Sequence, residues 1–313
     1  AYAGHYLHEG THPDHTHSFV EIAVMIGGAG THRSMAGRHR MAVGDVVLLR
    51  PGVWHGYEQA RGLCLYNCCF SVDLLHGELA WTREDPLLGY LLWTGPYAAQ
   101  RRGMLTASLT PAELAQCVTH LDALDQLRHA PASYRGDIIG RLSLFLSCLS
   151  RAVARERELN GEPTGTTHPA VTQAMRLLEA DPARRWTLTE LAGSLHLTAS
   201  YLVRLFKSTT GLPPMAYLAR HRVETAASLL LHTDEPITQI ARSVGWPDQN
   251  YFARRFRAHF GLSASAYRTR FAHGKIRVGS WDPDRRAPAT GAGAGALASL
   301  PRVPAGGPVV GSR

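Results

Sequence analysis

The sequence contains no long hydrophobic run and only five cysteines in 313 residues. No apolar stretch reaches the ~18 residues of a membrane-spanning helix, which argues against a membrane protein. The N-terminus carries His, Asp and Glu instead of the basic start and apolar core of a signal peptide. An odd number of cysteines without regular spacing favours free thiols over a disulfide framework. These absences together predict a cytoplasmic location.

Charged residues are also few, at 19%, and the positive ones are unevenly placed. Of the net charge of +8, residues 1–167 contribute −2, residues 168–271 contribute +6 and residues 272–313 contribute +4. Hydrophobic residues make up 45% of the chain, which is enough to build two buried cores. A basic C-terminal half is typical of proteins that attract phosphate groups.

Composition and periodicity divide the chain into five segments. Short apolar runs separated by Gly turns predict an all-β barrel or sandwich in residues 1–110. Apolar spacings of three and four predict a helical hairpin in residues 111–160. Residues 161–168 lack a pattern and are interpreted as a linker to an all-α domain in residues 169–271. Residues 272–313 are rich in Ala, Gly and Pro, which predicts a disordered tail.

An internal repeat lies within residues 171–270. Nine positions recur 49 or 50 residues later, and the change of offset falls where a turn can absorb it. The first copy contains Leu188, Leu191, Ala192, Tyr201, Arg204, Phe206, Gly211, Leu212 and Tyr217, and the second contains Ile237, Ile240, Ala241, Tyr251, Arg254, Phe256, Gly261, Leu262 and Tyr267.

Helix start and stop signals accompany each copy. Thr187 with Glu190 forms a capping box, and Thr198 is placed to cap a helix that Gly211 ends. Asp248 takes the capping role in the second copy. Each copy therefore predicts a short helix, a tight turn and a helix of about three turns. This is a helix-turn-helix unit, whose second helix enters the major groove of DNA.

The outward faces of the two second helices carry hydrogen-bonding side chains. Arg suits guanine, and Asn or Gln suits adenine, because each forms two hydrogen bonds with one base edge. The outward candidates are Ser200, Val203, Arg204, Gln249, Asn250 and Arg254 for bases, and Lys207 and Arg257 for phosphates. The alternative is an ordinary amphipathic helix with a solvated charged face. We favour DNA recognition for the repeat as a whole, because caps, apolar stripes and charge agree in both copies.

The runs Leu188–Ala192 and Tyr201–Lys207, with their counterparts in the second copy, resemble the DNA-binding domain of the AraC/XylS family. The resemblance covers about 100 residues and implies seven helices, with Pro214–Leu230 joining two helix-turn-helix units on successive major grooves. It adds Tyr251 to the candidate base contacts. Trp246 departs from the family, which usually has Phe there, and we expect it to fill the same core pocket. The implied partner is double-stranded DNA, with RNA polymerase as a second partner if the protein is an activator.

A strand with one polar and one apolar face is predicted at residues 15–26. Because side chains alternate along a strand, His15, His17 and Glu21 share one face, and the Val and Ile residues share the other. If the strand lines a small barrel, the His face points into its cavity. Otherwise that face is exposed to solvent. The earlier histidines are interpreted as a mobile arm: His5, His8 and His12.

The spacing of His15, His17, Glu21 and His55 among glycines resembles the two motifs of the cupin barrel. In metal-binding cupins the matching residues hold one divalent metal, and this ligand set suits Zn, Fe, Ni or Mn. Many AraC-type regulators of sugar use carry a cupin-like N-terminal barrel that senses a small molecule, and the rhamnose-responsive members have a similar His-x-His-x-Phe-x-Glu run. Three interpretations stay open for these residues: contacts with a small effector, metal ligands, or structural histidines.

The favoured function is a ligand-responsive transcriptional regulator, not an enzyme, with a sugar as the favoured effector. Trp54 and Tyr57 are candidate apolar walls around a sugar ring. A stripe from Ile138 to Val153 is a candidate surface for a homodimer, with packing against residues 111–127 as the alternative. The competing hypotheses are a metal sensor and a metal-dependent cupin enzyme fused to a DNA-binding domain. The enzyme hypothesis lacks a further acid–base pair in the sequence.

Overall fold

The computed structural model describes residues 1–98, 101–127, 134–161 and 168–271. Its strands are β1 (Tyr2–His15), β2 (Val20–Ser34), β3 (Gly37–Met41), β4 (Asp45–Leu49), β5 (His55–Phe70) and β6 (Met104–Ser108). They form one antiparallel sheet in the order β1-β5-β2-β4-β6, and β3 pairs with the second half of β2. Among these strands no ladder joins β1 to β6, so the sheet is not closed by hydrogen bonds.

Strand β2 is buried on both faces over its first half. Val20 and Ile22 pack in a core shared with helices, whereas Met25 faces a second core on the other side of the sheet. At Gly28 (φ +77°), an added Cβ would lie 1.9 Å from the Gly62 carbonyl oxygen. The pairing of β2 with β5 shifts register on either side of this glycine. A bulge of this kind changes which residues of the strand face inward.

The chain between β5 and β6, which the sequence places in the β domain, forms short helices. Two of them are α1 (Val72–His76) and α2 (Pro86–Gly89). The helical hairpin predicted next is present as α3 (Pro111–Leu127) and α4 (Arg135–Leu159). Together these helices cover the Val/Ile face of the sheet, which is therefore an interface and not a solvent-facing surface.

The apolar stripe of α4 is used inside one chain. Its members are Ile138, Leu142, Phe145, Leu149 and Val153, all buried. They share a single core with Leu121 and Leu124 of α3 and with the sheet. The stripe therefore does not supply the surface expected for a homodimer, because its apolar area is already covered. The homodimer stays a prediction.

The C-terminal domain is all-α, as predicted. Its helices are α5 (Pro169–Ala180), α6 (Leu188–Ser194), α7 (Ala199–Thr210), α8 (Pro214–His232), α9 (Ile237–Ser243), α10 (Gln249–Phe260) and α11 (Ala264–Phe271). The joining helix α8 begins at the predicted residue. Its first turns place Tyr217 and Leu218 in the core of the first unit, and its later turns place Val223 and Leu230 in the core of the second. One helix thus contributes to both helix-turn-helix units.

In the described part of the chain, no helix is both long enough and apolar enough to cross a membrane. Most of the expected linker at 161–168, namely residues 162–167, lies outside the described residues. The whole of the expected disordered tail at 272–313 also lies outside them.

Candidate nucleic-acid interface and buried histidine cluster

The first helix-turn-helix unit, α6 and α7, is capped as the sequence predicts. Thr187 Oγ1 accepts a hydrogen bond from the Glu190 amide at 3.1 Å, and the Glu190 carboxylate accepts one from the Thr187 amide at 3.5 Å. Thr198 accepts a hydrogen bond from the Tyr201 amide at 3.3 Å and so opens α7. Gly211 ends α7 with φ +76°, a conformation that favours glycine.

The second unit, α9 and α10, repeats this plan with different residues. Asp248 Oδ1 accepts hydrogen bonds from the amides of Asn250 and Tyr251 at 2.9 and 3.1 Å. Gly261 ends α10 with φ +73°. Trp246 is buried in the core of this unit, as expected for the position where the family usually has Phe.

The turn inside each unit has the same backbone geometry. His196 in the first copy and Gly245 in the second both adopt positive φ, +55° and +88°. The amide that follows donates to the carbonyl five residues back, at 2.9 Å in the first copy and 2.8 Å in the second. A left-handed conformation is costly for a residue with a Cβ, so the first turn is strained where the second is relaxed.

The predicted DNA contacts lie on the outward faces of α7 and α10. Ser200, Arg204, Lys207, Gln249, Asn250, Tyr251, Arg254 and Arg257 are exposed, and Val203 is half-buried. Sequence reasoning missed Tyr201, which is exposed at the position equivalent to Tyr251. The Arg204 guanidinium lies 5.3 Å from the Tyr201 ring centre, and the Arg254 guanidinium lies 5.8 Å from that of Tyr251. Each arginine is therefore next to an aromatic face that restricts its orientation.

Inside the β domain, three of the four predicted site residues converge. His17 Nε2 lies 2.7 Å from Glu21 Oε2, and His55 Nε2 lies 3.9 Å from the same oxygen. Asn67 Nδ2 donates to Glu21 Oε1 at 2.8 Å. The three side chains are at most 5% exposed, and their candidate ligand atoms all lie within 4.8 Å of one another.

His15, the fourth predicted residue, lies beside this cluster and not within it. Its ring centre is 4.2 Å from that of His55, its cross-strand partner. Its Nδ1 is 3.0 Å from the Pro13 carbonyl and donates to it, which leaves Nε2 as the acceptor.

The cluster extends further than the sequence indicates. His32 is buried with its ring 5.7 Å from that of His55. A period of two counted from Glu21 places His32 on the opposite face, but the bulge at Gly28 reverses the alternation. His5, His8 and His12 all belong to β1, so the expected mobile arm is wrong.

The charge states in the cluster suit metal ligation. Burial lowers the pKa of His15 and His32 to about 4 and that of His55 well below its usual value, so these rings are neutral at pH 7. Burial acts to raise the pKa of the Glu21 carboxyl, but His17, His15 and His32 outweigh it and hold it below its usual range. Two imidazoles and one carboxylate fit a divalent transition metal.

The two candidate aromatic walls lie in different places. Tyr57 is buried, with its ring 5.8 Å from that of His55 and 5.5 Å from that of His32. Trp54 does not face the cluster: its Nε1 donates to the Phe260 carbonyl of α10 at 3.1 Å. The tryptophan thus connects the β domain to the second helix-turn-helix unit.

A separate pocket of about 600 Å³ lies between the β domain and α8. Its lining includes Phe19, Arg50, His76, His221, Glu224 and Thr225. Arg50 and Glu224 are buried, and in the described structure Nε of the first and Oε1 of the second lack hydrogen-bond partners. Burial raises the pKa of Glu224 to about 7. The motifs gave no signal for this pocket, because its walls are distant in sequence.

The fold and the two capped recognition helices define a helix-turn-helix DNA-binding regulator of transcription. A family model described as a helix-turn-helix domain matches residues 191–270, and one described as an AraC-like ligand binding domain matches residues 1–122. The chain belongs to the AraC family of transcriptional regulators and carries an AraC-like ligand-binding domain at its N-terminal end. This assignment sets aside the cupin-enzyme hypothesis.

The chain is similar along most of its length to proteins named as transcriptional activators. The HTH-type transcriptional activator RhaR of Yersinia pestis bv. Antiqua (strain Angola) is 26% identical over 274 residues, 87% of this chain and 90% of RhaR. RhaS of Pectobacterium carotovorum subsp. carotovorum (strain PC1) is 27% identical over 256 residues, 82% of this chain and 87% of RhaS. The solved structure of ToxT from Vibrio cholerae strain SCE256 aligns with a TM-score of 0.48 and 15% identity, covering 87% of this chain and 95% of ToxT.

Proposed function

We propose that this regulator is controlled by a small polyhydroxylated effector, such as a sugar, that binds in the pocket between the β domain and α8. The observation that carries the proposal is the pair of buried groups, Arg50 and Glu224, that line this pocket with unused hydrogen-bonding atoms. The histidine cluster is the less suitable place for a sugar, because its ligand atoms lie within 4.8 Å of one another and leave no space for a ring.

The chemistry of the pocket matches hydroxyl groups. A hydroxyl both donates and accepts hydrogen bonds, so its site needs both kinds of partner. Among the described residues, Arg50 Nε and Glu224 Oε1 have no hydrogen-bond partner, so they can serve as donor and acceptor, while Phe19 adds an apolar wall. A volume of about 600 Å³ falls within the range of roughly 300–1,000 Å³ for small-molecule sites. The resemblance of the His-x-His-x-Phe-x-Glu run to rhamnose-responsive regulators favours a sugar within this class.

Helix α8 gives the pocket a connection to DNA binding. The Tyr97 hydroxyl donates to Glu224 Oε2 at 2.6 Å, and the Arg220 guanidinium donates to the Tyr97 carbonyl. An effector that bonds the Oε1 atom of Glu224 shares this carboxylate with Tyr97, and so changes how α8 is held against the β domain. Because α8 contributes to the cores of both units, an effector that prefers one position of α8 shifts the population of DNA-binding states.

The DNA contacts that we propose are the exposed faces of α7 and α10. Arg204 and Arg254, each next to a tyrosine ring, are placed for guanine, and Asn250 is placed for adenine. Lys207 and Arg257 lie further along their helices and are assigned to phosphates. RhaR and RhaS are named as activators, which favours activation here, with RNA polymerase as a further partner.

The effector proposal is tested by a thermal-shift screen of monosaccharides on the full chain, followed by DNA-binding anisotropy with an operator selected from random DNA. A sugar present at 100 times its Kd should stabilise the protein by about 2.7 kcal/mol. Glu224→Gln keeps the size of the side chain. Measured at pH 8, above the pKa of about 7 of the Glu224 carboxyl, it should weaken sugar binding about tenfold or more, in line with the loss of roughly 1.5–3 kcal/mol for a hydrogen bond to a charged group.

Glu58→Gln is the matched control, because Glu58 pairs with Arg38 at 2.8 Å and does not line the pocket. An equal sugar response in the Glu224→Gln and Glu58→Gln proteins would overturn the pocket assignment. The absence of any stabilising sugar, with DNA binding retained, would overturn the class of effector.

A further inference from the structure

We propose that Arg222 of α8 fixes the angle between the two helix-turn-helix units, and that it thereby sets the spacing that the protein requires between the two halves of its operator. This inference rests on the proposed DNA contacts of α7 and α10. Arg222 is only 8% exposed, so it acts on those contacts through other residues and is a positioning residue. It must therefore contact both units, and the segments that it contacts must be joined closely to the recognition helices.

Arg222 lies in the middle of α8, the helix that contributes to the cores of both units. In the loop before α6, its Nε donates to the Pro182 carbonyl at 2.6 Å and its Nη2 donates to the Arg184 carbonyl at 2.7 Å. Its Nη1 donates to the Gly245 carbonyl in the turn of the second unit at 3.2 Å. One buried planar group is therefore bonded to segments of both units.

The two units also approach each other closely at this place. A Cβ added to Gly245 would lie 2.7 Å from the Ala183 carbonyl oxygen and 2.8 Å from Arg222 Nη2. The missing Cβ of glycine is what allows this approach of one backbone to another. A guanidinium presents its donors in a rigid fork, and its acceptors here are backbone carbonyls. These carbonyls move only when the segments that carry them move, so the fork holds the two segments in one arrangement.

The loop before α6 is firmly joined to the first unit. Trp186 Nε1 donates to the Asp181 carbonyl at 3.0 Å, and the Arg184 amide donates to Asp181 Oδ1 at 3.1 Å. The Trp186 side chain is buried in the core that the first unit shares with the sheet. The Arg184 side chain forms an ion pair with Glu190 of the capping box of α6. A displacement of the Arg184 carbonyl therefore displaces the start of α6.

The turn of the second unit is joined to its recognition helix by aromatic contacts. Trp246 directly follows Gly245, and its ring centre lies 5.7 Å from the Arg222 guanidinium. The same ring lies 6.0 Å from the ring of Tyr251 and 5.9 Å from that of Phe252. Tyr251 is one of the proposed base contacts, and Phe252 is buried in the second core. A shift of the turn therefore reaches the residues of α10 that are proposed to read DNA.

The geometry of DNA converts a fixed angle between the units into a fixed spacing between the half-sites. One base pair inserted between the half-sites rotates one of them by about 34° and moves it by about 3.4 Å relative to the other. A rigid pair of units loses the base contacts of one half-site on such DNA, whereas a flexible pair adjusts to it. Arg222 should therefore determine the tolerance for altered spacing, and it should leave the affinity of each unit for its own half-site unchanged.

The test measures binding of the full chain to an operator selected from random DNA, and to the same operator with one base pair inserted or removed between its halves. The wild-type protein should bind the altered operators about tenfold or more weakly. Arg222→Lys keeps the buried positive charge and lacks the planar fork, so its loss should be about threefold or less. Its affinity for operators with either half scrambled should equal that of the wild type. Arg222→Gln repeats the test with a neutral amide.

Leu230→Ala is the matched control, because Leu230 is buried on the same helix and belongs to the core of the second unit. It should destabilise the protein and keep the wild-type dependence on spacing. Hydrogen exchange without DNA gives a second measurement of the contact. The amides of Trp186 and Trp246, which donate to the Arg184 and Ala241 carbonyls, should exchange about tenfold faster in Arg222→Lys relative to the amides of α8.

A wild-type protein that binds all three spacings equally would overturn the inference. An undiminished dependence on spacing in Arg222→Lys, or an equal reduction in Leu230→Ala, would also overturn it. Failure of the proposed DNA contacts is recognised separately, because Arg204→Ala and Arg254→Ala would then both keep the wild-type base preference. In that case the hydrogen exchange decides whether Arg222 holds the two units together, and unchanged exchange at both tryptophan amides would show that it does not.

Discussion

The two helix-turn-helix units share one backbone plan and differ in chemistry. Where the first recognition helix presents Ser200, the second presents Asn250, and Lys207 is matched by Arg257. Asn and Arg form two hydrogen bonds with one partner, whereas Ser and Lys do not. The comparison predicts that α10 supplies more of the base specificity and that α7 supplies more of the phosphate contacts.

The units also differ in how they join the β domain. The core of the first unit is continuous with the core under the sheet. The second unit has its own core, on which Met35 and Trp54 of the β domain pack, and it is held by the hydrogen bonds of Trp54 and Tyr267. A continuous apolar core resists displacement more than a few hydrogen bonds do. The second unit is therefore the one whose orientation a bound ligand changes more easily.

The largest expected difference between the units concerns their cores. Trp246→Ala should destabilise the protein by about 3–5 kcal/mol, because it removes a buried indole ring and leaves a cavity in the core. Leu197, at the equivalent place in the first unit, is only half-buried, so Leu197→Ala should cost less than about 2 kcal/mol. Urea unfolding of both variants measures the difference. Equal losses would show that the two turns are packed alike.

An intermediate effect is expected for the arginines on the recognition helices. Arg254→Ala should cost about 1–3 kcal/mol at one base position and relax specificity there. Arg204→Ala should act at a different base position, in the half of the operator bound by α7. Binding to a library of operator variants measures both. Arg61→Ala, an exposed arginine of the β domain, is the control, and unchanged base preference in Arg254→Ala would contradict the assignment.

The smallest expected effect concerns the strained turn of the first unit. His196→Gly should stabilise the protein by about 0.5–1 kcal/mol, because relief of the left-handed strain exceeds the added entropy of the unfolded chain. In the second unit, Gly245→Ala should destabilise, because a Cβ there would lie 2.7 Å from the Ala183 carbonyl oxygen. Thermal unfolding of both variants shows whether each substitution stabilises or destabilises the protein. A destabilising His196→Gly would mean that the imidazole contributes contacts that outweigh the strain.

Local features of the DNA-binding domain were predictable from the sequence. The capping residues Thr187, Thr198 and Asp248 act on amides two or three residues away, so a short stretch of sequence contains the whole interaction. The β class and the helical hairpin follow from apolar periodicity in the same way. In the histidine cluster, His17 and Glu21 were predicted to share a face by alternation along one strand at residues 15–26. That strand is wrong, because His17 lies in the turn before β2, and the two side chains meet because they are four residues apart across the start of β2.

Contacts between distant segments were not predictable. The sequence of α4 shows an apolar stripe but does not show what the stripe packs against. A face that packs on the sheet and a face that packs on another subunit have the same apolar pattern. His32 joins the cluster only because a bulge reverses the alternation of β2. Trp54 is an aromatic next to a site residue in the sequence, yet its indole is used by α10.

Arg222 of α8 is a further residue whose contacts were not predictable from the sequence. Its guanidinium donates to the carbonyls of Pro182, Arg184 and Gly245, at 2.6, 2.7 and 3.2 Å, and so joins the loop before the first unit to the turn of the second. Nothing in the local sequence marks this arginine, because its three acceptors are backbone groups that any residue carries. The sequence by itself determined two capped helix-turn-helix units and a polar-lined β domain, since those depend on near neighbours and periodicity. Only the tertiary structure decided which histidines meet, where the pocket lies and how the β domain holds the second unit, since those depend on segments brought together by folding.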